Sequence, residues 1–423
     1  MALEAEIIAV GSELLGPDRL DTDSLYLAAE LGRIGIAVRR KEVVGDVLAD
    51  LTAAFVAALA RADVVIATGG LGPTEDDLTR EAAAAALGRR LERSPALELR
   101  LREYFHRRGV AMPERNRKQC DLLAGAEALA NGWGTAPGQW LELAGARALL
   151  LLPGPPRELQ PLFAEQAAPK LRALARRRLG SEPVPLAGRV LIVADMPESA
   201  VDELAAPIYG QFPAVATTIL AARPGEIELH LRAEGGATGR EALDRLCDRL
   251  RATLGLAVFT CSGESLEAVV GEQLRRAGQS LAVAESCSGG LLGARLTQTP
   301  GASDYFAGGV ICYRNEVKVS ALGVAPETLE RHGAVSAACA RELATGARRR
   351  FATDWGVAIT GIAGPGGGSE AKPVGTVFIA VAGGANEPEV VERHFSGERE
   401  RIRRWSVAVA LDRLRRALAA GAS

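Results

Sequence analysis

Histidine is scarce in this chain. Among 423 residues only His106, His230, His332 and His394 occur, and no two are close in sequence. A zinc site built from several histidines is therefore not expected. A Ser-His-Asp site stays open, but a nucleophilic serine here more readily finds a lysine as its base. The six cysteines, Cys120, Cys247, Cys261, Cys287, Cys312 and Cys339, form no Cys-x-x-Cys pair, so reduced thiols and a cytoplasmic location are expected. No apolar run approaches the ~20 residues of a membrane span. The start, Met1 to Glu6, lacks the basic region of a signal peptide. Excess charge of one sign is also missing. The formal net charge of -2 argues against bulk attraction to nucleic acid or to an anionic membrane.

What is present is an ordinary globular composition, 48% hydrophobic and 24% charged, over a length that implies two or three domains. Residues 1–170 alternate strand and helix signals. Glu6 to Gly11, Val38 to Val44, Asp63 to Thr68 and Leu149 to Leu152 read as strands. Asp21-Thr22-Asp23-Ser24 caps a helix, and Leu48 to Ala60 forms another. This is the pattern of an α/β domain with a parallel, doubly wound sheet. Residues 171–260 change character. Arg176-Arg177-Arg178 with Pro183 and Pro185 reads as a linker, followed by a small α+β domain. A third α/β segment, 261–423, opens with the cap Ser262 to Ser265 before a helix from Leu266 to Arg276.

The most informative stretch is Ala284-Glu285-Ser286-Cys287-Ser288-Gly289-Gly290. It follows an apolar run and precedes a helical one, so it reads as strand, tight turn, helix. A hydroxyl at such a turn lies near free helix N–H groups, a sound place for attack on a carbonyl. A plain N-cap is the alternative. Ser286, Cys287 and Ser288 are consecutive, and residue types alone leave the nucleophile open. Further on, Thr360-Gly361-Ile362-Ala363-Gly364-Pro365-Gly366-Gly367-Gly368 follows another apolar run. So many glycines suit close backbone approach to a ligand, or else a flexible surface loop. No Gly-Lys-Ser/Thr ends the stretch, so it is not a Walker loop.

These motifs, with Tyr313 to Lys318, Gly333 to Ser336 and Phe395 to Arg399, resemble the C-terminal domain of the CinA family, the competence/damage-inducible proteins. That domain is similar to the nicotinamide mononucleotide (NMN) deamidase PncC. The resemblance covers about residues 262–415. It implies hydrolysis of the NMN carboxamide to nicotinic acid mononucleotide and ammonia, with no cofactor. It places the nucleophile on Ser286, its Tyr and Lys partners on Tyr313 and Lys318, and further substrate-binding groups on Thr360, Gly361, Arg399, Gly289 and Gly290. Cys287 is then packing. Lys318 can accept a proton only if desolvation or a neighbouring cation favours its neutral form.

In the first segment, Thr68-Gly69-Gly70-Leu71-Gly72-Pro73-Thr74-Glu75-Asp76-Asp77 lies between a buried strand and a helix. Glycine amides there can approach phosphate, and Asp76 and Asp77 can hold a divalent metal. A solvated turn with a capping Asp is the alternative. Asp46 would face the same crevice. With Gly11 to Leu15, Asn116 to Gln119, Gly134 to Gly138 and Leu152 to Pro156, the segment resembles the MoaB/MogA-like molybdopterin-binding fold found at the N-terminus of CinA proteins. The resemblance implies an ADP-ribose pyrophosphatase that needs a divalent metal, Mg or similar, with or without a monovalent cation. The phosphate and metal region falls on Gly69, Gly70, Asp46, Asp76 and Asp77. One departure is Asp23, where the family often has Asn. The middle segment resembles the KH-like connector of the family. Its Gly236-Ala237-Thr238-Gly239 matches the letters of an RNA-binding loop but follows a strand and precedes a single helix. Nucleic acid and membrane are not expected as partners. The small-molecule nucleotides NMN and ADP-ribose are, and a homodimer is expected. The rival readings are a non-catalytic partner in competence or DNA damage and a molybdopterin-binding regulator.

Overall fold

The computed structural model describes residues 3–233, 235–384 and 387–421. It divides into two compact units, Met1–Ala187 with Glu234–Thr238 and Gly188–Ala233 with Gly239–Ser423.

The first unit is an α/β domain with strands β1 (Leu3–Val10), β2 (Ile36–Val44), β3 (Val64–Thr68), β4 (Leu91–Arg93), β5 (Asp121–Leu123), β6 (Glu127–Leu129), β7 (Gly138–Leu143) and β8 (Arg147–Leu152). Its main sheet has the order β2-β1-β3-β8-β7-β6, and β4 pairs with β5 separately. β1, β2, β3 and β8 are parallel. β7 runs antiparallel to β8 and β6. The antiparallel edge arises because β7 and β8 are joined by a tight turn, where Gly145 and Ala146 have positive φ. Neighbouring strand residues point to opposite faces. Ile7, Ile66 and Leu150 join Leu27, Leu31 and Leu171 in one core. Ile8, Val65 and Leu149 join Leu51, Phe55 and Ala83 in another. The sheet is therefore doubly wound, covered by helices on both faces. One linker expectation is corrected: Arg176, Arg177 and Arg178 continue the helix Ala168–Leu179, which stops at left-handed Gly180. Their positive charges sit at the helix C-terminus, where the dipole favours them.

The second unit holds two sheets. β9 (Ala187–Ala194), β10 (Val215–Arg223), β11 (Glu226–Ala233) and β12 (Val258–Thr260) order as β10-β11-β9-β12. β13 (Leu281–Glu285), β14 (Phe306–Ile311), β15 (Trp355–Gly361), β16 (Thr376–Gly383) and β17 (Glu389–His394) order as β14-β13-β15-β16-β17. Ile192 and Phe259 of the smaller sheet pack into the same core as Val283 and Ile359 of the larger. Asp195, next after β9, accepts from Arg393 of β17 and from Arg413 of the helix Arg399–Gly421.

β13 pairs in parallel with β14 on one side and with β15 on the other. The chain leaves β13 for β14, then crosses β13 to reach β15. Such a reversal marks the carboxyl ends of these strands as the place where ligands of α/β sheets bind.

Candidate active site

Ser286 is the first residue past β13, and its N–H donates to Ile359 O of β15 at 2.9 Å. Lys318 lies on the helix Asn315–Leu322 that follows β14. Thr360 lies near the end of β15. Three neighbouring strands thus carry three expected site residues to one end of the sheet. Lys318 is 1% exposed and Ser286 8%. Lys318 Nζ stands 3.2 Å from Ser286 Oγ. It also donates to the carbonyls of Cys312 at 2.6 Å and Tyr313 at 3.3 Å. Carbonyls only accept, so two N–H bonds are committed there. The remaining position on Nζ faces the serine oxygen.

The turn after Ser286 is held by Glu285, a residue that the motif reading passed over. Its carboxylate, 2% exposed, accepts from the N–H groups of Gly290 (3.1 Å), Leu292 (3.0 Å) and Gly293 (2.8 Å). It therefore caps the helix Leu291–Leu296 in place of Ser286. Gly290 has φ 95, a conformation that favours glycine. Gly289 N–H donates to Ser286 O at 3.2 Å. The supply of free N–H groups at this turn is thereby narrowed, since Ser286, Gly289 and Gly290 spend theirs on Ile359 O, Ser286 O and the Glu285 carboxylate. On the outside, Arg403 places Nε and Nη2 at 3.1 and 2.7 Å from Ser288 O. A buried acid at the end of an apolar strand was the available signal for Glu285. Nothing in the charge run 399–404 singled out Arg403.

Cys287 packs in the core of the domain, and burial pushes its thiol up to about 12. Tyr313 reaches Lys318 through its carbonyl, while its exposed hydroxyl lies 3.1 Å from Arg399 Nη2. Arg399 Nη1 donates to Gly364 O at 2.7 Å, tying the glycine-rich loop to this pair. The Thr360 hydroxyl is buried and donates to Ala334 O at 2.7 Å. Gly361 approaches Thr376 and Val377 of β16 so closely that a side chain there would strike their backbone. Its lack of a side chain therefore serves strand packing.

In the first unit, a cavity of about 680 Å³ is lined by Gly69, Gly70, Asp46, Asp76 and Asp77, with Glu13, Asp21 and Asp23 on the same wall. The expected residues do meet. Several have local duties. Asp46 accepts from Ser12 N–H at 2.7 Å, and Asp77 accepts from Gly72 and Thr74 N–H, both at 2.8 Å. A Cβ on Gly69 would collide with the Val10 carbonyl, so this glycine is needed by the strand contact itself. Lys118 Nζ holds the loop through Thr74 O (2.7 Å) and Asp77 O (2.9 Å). Arg80, 1% exposed, does the same from beneath through Leu71 O (2.7 Å) and Gly72 O (2.9 Å). Asp23 is 9% exposed, Thr68 Oγ1 is 3.3 Å from its Oδ2, and Oδ1 has no partner. Burial raises its carboxyl to about 6, against the Thr68 bond.

Among the described residues no group of three or more His, Cys, Asp or Glu side chains converges as a metal site. Hard carboxylate oxygens nonetheless line the cavity. They suit a cation such as Mg, which keeps several waters and is held by one or two carboxylates together with substrate phosphates. Among the described residues no helix is long and apolar enough to cross a membrane.

Residues 263–418 match the family described as CinA C-terminal domain, and residues 6–173 match "Probable molybdopterin binding domain". The chain is 48% identical over 419 residues to a CinA-like protein of Koribacter versatilis, covering 98% of this chain and 99% of that one. A CinA-like protein of Synechocystis is 41% identical over 422 residues, 98% and 99% of the two chains. Among solved structures, the competence/damage inducible protein CihA from Agrobacterium tumefaciens is similar to 36% of this chain and 93% of its own, at 39% identity and a TM-score of 0.36. With both domains matched and relatives aligned end to end, the chain belongs to the family of CinA-like proteins.

Proposed function

We propose that the C-terminal domain is an amidohydrolase that converts NMN and water into nicotinic acid mononucleotide and ammonia. The observation that carries this reading is the buried pair of Lys318 Nζ and Ser286 Oγ at 3.2 Å, with two other Nζ directions fixed on carbonyls. In its neutral form Lys318 turns its lone pair to the serine hydroxyl and takes its proton. Ser286 Oγ then bonds to the carboxamide carbon. The amides of Cys287 and Ser288, not spent within the turn, steady the oxyanion. The tetrahedral centre collapses, Lys318 returns the proton to the amine, and ammonia leaves. Water attacks the resulting ester with Lys318 again as base, releasing the acid and Ser286. Thr360 braces the crevice through Ala334. Arg399, oriented by Tyr313 and Gly364, holds the phosphate of the substrate. The test is ammonia release from NMN by the full chain. Release by wild type and none by Ser286→Ala supports the reading; no release by wild type leaves a binding protein, as the rival readings have it.

A second activity is favoured by the carboxylate-lined cavity. We infer that the N-terminal domain hydrolyses ADP-ribose there, with a divalent cation held by Asp76 or Asp77 together with the pyrophosphate. Bound there, the cation supplies charge neutralisation at phosphate oxygens. Asp77 keeps the glycine loop in shape for that ligand, while Asp46 ties down the segment at Ser12. If ADP-ribose is cleaved under no divalent metal, this domain is a binding module.

A further inference from the structure

A second concavity of the first unit has the opposite charge character to the carboxylate cavity. Two adjoining hollows, about 240 and 370 Å³, share Tyr104, Gly134 and Thr135 as walls. Arg100, Tyr104 and Arg107 recur along the helix Pro95–His106 and the residue after it at spacings of four and three, which places them on one side. Arg108 stacks its guanidinium over the Tyr104 ring at 4.2 Å. Arg157 and Trp133, 44% exposed, enter from the other wall. Arg100, Arg107 and Arg157 have no ion pair or side-chain hydrogen bond among the described residues, although Arg102 on the same helix is paired with Glu98. Two carboxylates also line the hollows, Glu103 and Glu158, the latter accepting from Asn131 Nδ2 at 2.8 Å, but they are outnumbered by Arg100, Arg107, Arg108 and Arg157. Unpaired guanidinium groups beside the exposed Trp133 ring and the half-buried Tyr104 ring make a surface that takes a phosphate and a flat base together.

We propose that this cleft is a metal-independent binding site for a nucleoside phosphate. The base lies on the Trp133 and Tyr104 rings and the phosphate is taken by Arg100, Arg107 and Arg157. The site is separate from the carboxylate cavity, which attracts phosphate only through a cation. It also stands apart from both activities proposed above.

Binding of ADP to the full-length chain, followed by calorimetry in excess chelator, tests this. Expected is saturable binding that weakens steeply with salt, as phosphate contacts do. Arg100→Gln and Arg157→Gln each weaken it about tenfold, the loss that one anchoring contact brings. Trp133→Ala weakens ADP but leaves inorganic phosphate unchanged. All three positions are exposed, and an unchanged circular dichroism spectrum confirms folding. Asp46→Asn leaves chelator-resistant binding intact. The proposal is overturned if ADP fails to bind in chelator, or if the arginine variants bind it as wild type does. It is equally overturned if Asp46→Asn removes the binding, or if single-stranded DNA binds while ADP does not.

Discussion

Lys318 Nζ and Ser286 Oγ lie 3.2 Å apart in the interior although they come from different strand-to-helix connections. Ser286→Ala is expected to abolish ammonia release from NMN and to leave the melting transition near that of wild type. Cys287 cannot take over, since its thiol is buried and pushed up to about 12. Full release by this variant would move the nucleophile elsewhere.

Lys318→Met keeps much of the apolar stem but removes the amine proposed as the base. General-base contributions are commonly about 10²–10⁴-fold, so kcat should fall by at least about a hundredfold. The pH–rate profile decides the matter. An unchanged profile would make Lys318 a packing residue.

Glu285→Gln leaves the side chain its length but withdraws charge from three N–H donors. The loss should lower stability by about 1–3 kcal/mol, the usual cost of weakly satisfied buried donors. It should also lower kcat more than KM, since the turn carries the serine rather than the substrate's distant groups. Steady-state kinetics beside a urea titration separates the two effects. Equal effects on kcat and KM would deny Glu285 a part in shaping the turn.

Asp23 carries a pH signature. Its carboxyl is raised from 3.8 to about 6 by burial, with Asp21 adding to the rise and the Thr68 bond opposing it. Between these values the folded state binds more protons than the unfolded one. Its contribution to stability is present below 3.8 and is lost as pH rises through about 6. Asp23→Asn should flatten that part of the stability–pH curve for the N-terminal domain. Denaturant midpoints at pH 4.5 and 7 test it; identical slopes for the two proteins would contradict the assignment.

Chelator should stop ADP-ribose cleavage and spare ammonia release from NMN. Asp76→Asn should weaken the former alone. Asp77→Asn should weaken it too and also loosen the glycine loop, because Asp77 accepts from Gly72 and Thr74. Loss of both activities on chelation would merge the two sites into one system.

Much of this was legible in the sequence because hydrophobic runs and glycine turns are local signals. The strand before Ser286, the helix after it and the doubly wound first domain follow from periodicity. The approach of Lys318 to Ser286 was not readable from spacing, since it depends on β14 and β15 flanking β13. Nor does the residue pattern show that the Tyr313 hydroxyl meets Arg399. Its carbonyl does the work near Lys318, and backbone groups leave no trace in a residue pattern. Glu285 was hidden for a related reason. Its partners are main-chain N–H groups, and any residues could supply those.

The carboxylate cap of Glu285 has a thermodynamic consequence. Ordering a loop costs about 1–2 kcal/mol per residue in backbone entropy. Here the turn bearing Ser286 is fixed by buried bonds that require no ligand. Its ordering belongs to the folding reaction, so substrate meets a rigid surface and association need not freeze a mobile segment. Heat-capacity changes on binding should then report dehydration of the crevice alone, without the large component that coupled folding would add.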